Sequence, residues 1–154
     1  EKSSLFDKIK TNLDKGKIKY KVLEHKAVYT SQDAAKVRKT KISQGAKAII
    51  MFGDKKPLMI VVPADRKIDF KKFKLASKIK VLKMATAQEV KKISGVEIGA
   101  VPPFGNLIGI ALYVDKGLAK EKEIVFNAGL HTKSILMKYH DFEEVTKPII
   151  GDYV

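Results

Sequence analysis

Leu5, Phe6, Ile9 and Leu13 recur at three- and four-residue spacing, which predicts an N-terminal helix. Ser3 or Ser4 is placed to cap its start, and Gly16 to close its end. The period then changes. Tyr20-Lys-Val-Leu-Glu24 alternates as a short strand, His25 to Thr30 reads as a connecting loop, and Thr30-Ser-Gln-Asp33 opens a second helix before Ala34, Ala35 and Val37. Ala46-Lys-Ala-Ile-Ile-Met-Phe52 and Leu58-Met-Ile-Val-Val62 are β-type runs on either side of the turn-rich Gly53-Asp-Lys-Lys-Pro57, a hairpin signal. Asp69 caps a helix carrying Phe70, Phe73 and Leu75, with a strand at Ile79-Lys-Val-Leu82 behind it. Thr86-Ala-Gln-Glu89 is a capping box ahead of Val90 and Ile93, and Gly95 stands where that helix should stop. Leu107-Ile-Gly-Ile-Ala-Leu-Tyr-Val114, Glu123-Ile-Val-Phe126 and Lys133-Ser-Ile-Leu-Met-Lys-Tyr139 predict three further strands, and Asp141-Phe-Glu-Glu-Val145 a short closing helix. Strands interleaved with short helices predict an α/β (α+β) fold with a mixed sheet. No internal repeat divides the chain, so residues 1–154 read as one domain.

The stretch Gly95-Val-Glu-Ile-Gly-Ala-Val-Pro-Pro-Phe-Gly-Asn106 breaks this pattern with three glycines and a Pro-Pro pair directly after a helix. Glycine admits backbone conformations closed to other residues, and proline fixes φ and removes a donor. A shaped loop is expected, with main-chain N–H groups able to face an oxygen-rich ligand. Most Gly/Pro clusters are plain structural turns, and that reading stands beside it.

Charge narrows the partner class. The chain carries 31 Lys+Arg against 17 Asp+Glu, a formal net charge of +14, which favours polyanions through counterion release. A lysine-rich solubilising surface is the competing explanation. Only Arg38 and Arg66 are arginines, so the positive charge is nearly all flexible lysine, suited to phosphates more than to base edges. With 45% hydrophobic residues a chain of this length buries roughly two-thirds of its unfolded surface. No run approaches the roughly 20 apolar residues of a membrane helix, and Glu1-Lys-Ser-Ser4 lacks a signal-peptide core, so a cytoplasmic protein with no membrane partner is expected. The chain begins without Met, which leaves fusion to a larger protein open.

Several chemistries lack their residues. There is no cysteine, so disulfides and thiolate chemistry are excluded. Gly-x-x-x-x-Gly-Lys-Ser/Thr, Gly-x-Gly-x-x-Gly, His-Glu-x-x-His and Gly-x-Ser-x-Gly are all missing. His25, His131 and His140 show no metal-ligand spacing, so no metal and no cofactor are expected. What remains is catalysis by positioning, through main-chain amides, one or two lysines and a bound water.

Four pieces in order carry a family resemblance. They are His25-Lys-Ala-Val-Tyr-Thr-Ser-Gln-Asp-Ala-Ala35, Lys47 leading Ala48-Ile-Ile-Met51, Gly99-Ala-Val-Pro-Pro-Phe-Gly105, and Phe126-Asn-Ala-Gly129. With Val62-Pro-Ala-Asp65, they resemble the YbaK/EbsC/ProX family, free-standing relatives of the editing insertion domain of bacterial prolyl-tRNA synthetase, over about residues 20 to 145. The resemblance implies a mixed, partly barrel-like sheet surrounded by short helices, and hydrolysis of mischarged aminoacyl-tRNA in trans. It implies that Lys47 is the pocket lysine holding the terminal nucleotide, where the plain alternative is a solvent-facing strand-start lysine. It also implies that the loop of Gly99, Ala100, Val101, Pro102 and Pro103 cradles the ester with main-chain N–H groups, and that Val28, Tyr29 and Thr30 form one wall of the aminoacyl pocket. Asn127 and Gly129 fall on a family turn near the pocket. His131 follows, either to orient water or hydrogen-bond the ribose, or as an ordinary surface residue.

One departure bears on specificity. Many relatives, including those specific for cysteinyl-tRNA, carry Thr after the pocket lysine, where this chain has Ala48. The missing hydroxyl argues against Cys and for a small apolar aminoacyl group such as Ala, or another small residue, on tRNA for proline. The partners implied are the acceptor end of a mischarged tRNA and prolyl-tRNA synthetase. The alternative is a non-catalytic tRNA- or synthetase-binding module of the same fold. A DNA-binding reading rests on charge alone, because no helix-turn-helix emerges.

Overall fold

Ser4 has extended backbone and its Oγ accepts from the N–H of Asp7, so α1 (Leu5–Lys15) starts where the spacing predicts. In this computed structural model, which describes residues 4–154, Leu5, Ile9 and Leu13 are its buried stripe. Ser3, the other cap candidate, lies outside the described residues. Thr30, Asp69 and Thr86 likewise accept from Asp33, Lys72 and Glu89 N–H to open α2 (Ser31–Arg38), α3 (Phe70–Ser77) and α4 (Ala87–Ser94). Each satisfies an N–H that has no partner inside its helix, a contribution of about 1 kcal/mol. The Thr86/Glu89 capping box is complete, and α4 stops at Gly95 with φ +78°. Helix α5 (Tyr139–Thr146) begins two residues before Asp141.

Among the described residues the strands form two sheets. The first joins β1 (Tyr20–Glu24), β6 (Glu123–Leu130) and β7 (Lys133–Lys138), antiparallel, with β7 central. The second joins β2 (Ala46–Gly53), β3 (Lys56–Pro63), β4 (Leu82–Met84), β5 (Ala111–Asp115) and β8 (Ile149–Gly151) in the order β4-β2-β3-β5-β8. It is mixed, as expected, with β4-β2-β3 antiparallel and β3-β5-β8 parallel. The sheets do not close into one barrel. Gly45, beside Val125, bridges the start of β2 to β6.

The period-two alternation of β2, β3 and β5 sorts their side chains between two cores. Ile50, Met59, Val61, Leu112 and Val114 meet Ile124, Phe126, Ile135 and Met137 between the sheets, sealed by Leu13 and Phe142. Met51, Leu58, Ile60 and Val62 turn the other way, onto Phe73 of α3 and Tyr153. Each such side chain stabilises the fold by roughly 1.5–3 kcal/mol. The second sheet is therefore buried on both faces, and its edges and strand ends are what remain for a site.

Four predicted boundaries are corrected. The linker expected over Gly53 to Pro57 is a two-residue turn, Asp54-Lys55, with φ of +48° and +73°, the left-handed pair that matches strand twist. The strand expected at Ile79 to Leu82 starts only at Leu82, because the Asp54 carboxylate takes the N–H of Lys80 and Val81 at 3.2 and 2.9 Å. The strand expected from Leu107 starts at Ala111, since Gly105–Ile108 form a 3-10 turn closed by Gly109 at φ +72°. The turn expected at Asn127-Ala-Gly129 is the end of β6, bulged between Asn127 and Leu130 with Gly129 at φ +94°; the chain turns at His131-Thr132. β8 carries too few residues to show in the pattern.

Lys55 is a side-chain-bearing residue held in a conformation that favours glycine. Lys55→Gly is expected to raise stability by about 0.5–1 kcal/mol, read by urea unfolding; an unchanged midpoint would contradict the turn assignment.

Candidate active site

β2 pairs with β3 along its whole length but with β4 only from Met51 to Gly53, so its first half is an open edge. The two-residue hairpin makes Lys47 and Ile49 the residues that exchange hydrogen bonds with β3, which turns the main-chain groups of Ala46 and Ala48 toward that edge. Facing it stand α2, the loop at Gly99 to Val101, and Asn127, and together they enclose a cavity of about 140 Å³. Its walls are small: Ala34, Ala35, Ala46, Ala48 and Ala64, with Val28 and Val101. An empty apolar cavity of about 150 Å³ takes a molecule the size of benzene, so this one suits a group of about six heavy atoms.

The polar lining is one-sided. Arg38, Lys41 and Lys47 contribute to it, and no Asp or Glu does. Lys47 is half-buried, and among the described residues no carboxylate lies within 4.0 Å of its ammonium. Arg38 is also half-buried; its Nε donates to Ser134 Oγ at 2.8 Å and its Nη2 to Asn127 Oδ1 at 3.0 Å. It too lacks a carboxylate partner among the described residues, and burial pulls its pKa down to about 10, which leaves it a cation at neutral pH. Ser134 is fully buried and also meets His25 Nε2 at 2.8 Å, while His25 Nδ1 meets Lys26 O at 2.8 Å. A proton on His25 Nδ1, with Nε2 accepting from Ser134, satisfies every member of that chain.

The loop is held at two points. Asn127 Nδ2 donates to Gly99 O at 2.6 Å, and Gly129 N–H donates to Ala100 O at 3.1 Å. Gly99 has φ +86°, and a side chain there would also meet His131 Cε1 at 3.4 Å. Of the main-chain donors, Ala100 N–H is already bonded to Glu97 O at 3.0 Å, and Pro102 and Pro103 have none. The N–H groups of Gly99 and Val101 have no acceptor among the described residues, and both residues line the cavity. Val101 is a buried residue, where an unpartnered N–H is uncommon and a ligand oxygen would satisfy it.

Seven of the residues singled out from sequence thus come together at the cavity: Val28, Tyr29, Thr30, Lys47, Gly99, Val101 and Asn127. Ala100, Pro102, Pro103 and Gly129 are buried and support the loop without lining it. His131 stands at the rim, its ring 4.6 Å from the 76% exposed Tyr29 and its Nδ1 3.2 Å from Val28 O. Donation from Nδ1 to that carbonyl leaves Nε2 as an acceptor. Sequence reading passed over Arg38, Thr40, Lys41 and Ser134. Arg38 had a signal, since it is one of only two arginines in a chain whose other cations are lysines.

The aminoacyl-tRNA editing domain family matches residues 25–145. The chain is 32% identical over 141 residues to the Multifunctional Ser/Thr-tRNA deacylase ProXp-y of Escherichia coli (strain K12), covering 87% of this chain and 83% of that one. It is 28% identical over 143 residues to the Prolyl-tRNA editing protein ProX of Acetoanaerobium sticklandii, covering 88% and 86%. A crystal structure described as a candidate trans-editing enzyme for prolyl tRNA synthetase superposes with a TM-score of 0.85 at 23% identity, over 99% of this chain and 98% of that one, and shares the fold. The matched span holds α2, the open edge of β2, the loop and β6, which are the elements that build the cavity, and the chain belongs to the aminoacyl-tRNA editing domain family.

Proposed function

We propose that this chain, acting as one editing domain, is an aminoacyl-tRNA deacylase that hydrolyses the ester between a small, wrong amino acid and the 3′ end of tRNA for proline. The observation that carries the reading is the acid-free cavity, which combines small walls, unpaired cations and two unpartnered main-chain donors on a pinned loop. The prolyl-tRNA relatives support the choice of tRNA, and support prolyl-tRNA synthetase as a partner. The net charge of +14 suits an acceptor stem bound through phosphates. No helix among the described residues is long and apolar enough to cross a membrane, and the cytoplasm, where tRNA is charged, is the proposed place of action.

Water attacks the ester carbonyl carbon, the bond from that carbon to the ribose oxygen breaks, and the departing ribose oxygen takes a proton. Negative charge develops on the carbonyl oxygen during attack. The N–H groups of Gly99 and Val101 donate to it, an effect of roughly 3–4 kcal/mol when such a donor is preorganised. Lys47 anchors the terminal nucleotide, and His131 Nε2 accepts from the water or a ribose hydroxyl. Tyr29 and Thr30 frame the mouth, and Val28 and the alanines exclude larger side chains.

Size exclusion is the test. Across tRNA for proline charged with Ala, Ser, Thr, Cys or Phe, the small groups are expected to be removed at least roughly 100-fold faster than Phe. Equal rates would contradict the cavity as the aminoacyl site. Binding of every tRNA with hydrolysis of none would identify the non-catalytic module instead.

A further inference from the structure

The cavity is not uniformly apolar, and its inner polar groups have no task in the ester chemistry just described. A guanidinium offers five N–H donors. In Arg38, Nε and one N–H of Nη2 are occupied by Ser134 and Asn127, and Nη1 has no acceptor among the described residues. Nη1 lies near the cavity wall at Gly45, where a Cβ would stand 3.9 Å from it. That Cβ would also press on Ala64 Cβ at 2.9 Å, so glycine keeps this end of the cavity open. Two residues beyond Arg38, Thr40 also lines the cavity, and its Oγ1 is buried with no hydrogen-bond partner among the described residues. A cation without a counterion and a buried hydroxyl without a partner are both costly unless something polar completes them.

Resting on the deacylase reading of this cavity, we infer that Arg38 and Thr40 read the side-chain hydroxyl of a seryl or threonyl group, making them the residues that set specificity. A hydroxyl oxygen accepts from Nη1 while its proton goes to Thr40 Oγ1, so one group completes both. A methyl group completes neither, and a thiol is a weak partner for both. The outer fork, Nη1 with the free N–H of Nη2, would also meet a carboxylate, so Asp-charged tRNA separates a hydroxyl reader from a plain anion site. This refines the sequence argument from Ala48. The hydroxyl missing beside Lys47 is replaced by polar groups arriving from the end of α2, and they favour Ser and Thr over Ala.

The test compares kcat/KM for Ser-, Thr-, Ala- and Asp-charged tRNA for proline in wild type, Arg38→Met and Thr40→Val. Wild type is expected to prefer Ser and Thr to Ala by at least about tenfold, and each variant to cut that ratio by about tenfold. Arg38 also ties α2 to β6 and β7, so purely structural damage would slow all substrates together and leave the ratio unchanged. That outcome overturns the inference, as does a wild-type preference for Ala or Asp. Should Arg38→Met not fold, Thr40→Val carries the test, because removing an unpartnered buried hydroxyl does not lower the melting temperature. Calorimetric binding of amide-linked 3′-seryl- and 3′-alanyl-adenosine reads the preference without catalysis. A seryl preference with no hydrolysis would overturn only the deacylase reading, and equal binding would overturn the role of Arg38 and Thr40.

Discussion

Lys47→Ala is expected to lower aminoacyl-ester hydrolysis by roughly 10²–10³-fold while weakening tRNA binding by less than about tenfold. The asymmetry follows from where the lysine sits. Lys47 lines the cavity together with Gly99 and Val101, and no carboxylate within 4.0 Å competes for its ammonium among the described residues. In the proposed mechanism the terminal nucleotide is held there against the loop donors, so a loose 3′ end loses the geometry on which the rate depends. On the same proposal the acceptor stem meets many lysines, of which this is one. Because Lys47 is half-buried and bridges to no acid, the substitution should change stability by about 0.5 kcal/mol or less. Parallel rate, binding and unfolding measurements separate the three effects. Near-normal hydrolysis would remove Lys47 from the mechanism.

Gly99→Val is expected to cost roughly 10²–10³-fold in kcat, with a smaller change in KM. A β-branched residue at φ +86° is a backbone outlier that costs of order 1–3 kcal/mol, and its Cβ meets His131 Cε1 at 3.4 Å. The loop cannot relieve that strain freely, because Asn127 holds Gly99 O and Gly129 holds Ala100 O. Relief must instead move the N–H groups of Gly99 and Val101 that are proposed to meet the oxyanion. Gly95→Val is the matched control, at φ +78° with nothing within 4 Å of its Cβ and outside the cavity lining. Both variants should melt roughly 3–10 °C lower, and only Gly99→Val should lose hydrolysis. If both lose it equally, general destabilisation explains the effect and the loop donors do not.

Local signals carried most of the fold. Caps at Ser4, Thr30, Asp69 and Thr86 act through side chains a few residues from the groups they satisfy, so sequence alone exposes them. Two of the corrected boundaries have the opposite cause. Ile79 to Val81 has the alternation of a strand, yet the carboxylate of Asp54, far away in sequence, takes its N–H groups. Asn127 to Gly129 has turn composition, yet it is a bulged strand end because Gly129 is committed to Ala100 O of the loop. The candidate site divides in the same way. Lys47, Gly99 and Val101 were legible through motif order, whereas Arg38 and Thr40 gain meaning only when α2 is folded against the open edge of β2. No spacing rule links a helix C-terminus to Asn127 and Ser134, about ninety residues on.

The central claim is that this cavity hydrolyses an aminoacyl ester. Its most direct test is single-turnover release of labelled amino acid from Ser-, Thr- and Ala-charged tRNA for proline, with the wild-type chain in excess. A first-order release that saturates with protein concentration, and that falls by at least roughly 100-fold in Lys47→Ala, is the predicted result. Release no faster than in buffer for every charged tRNA would contradict it.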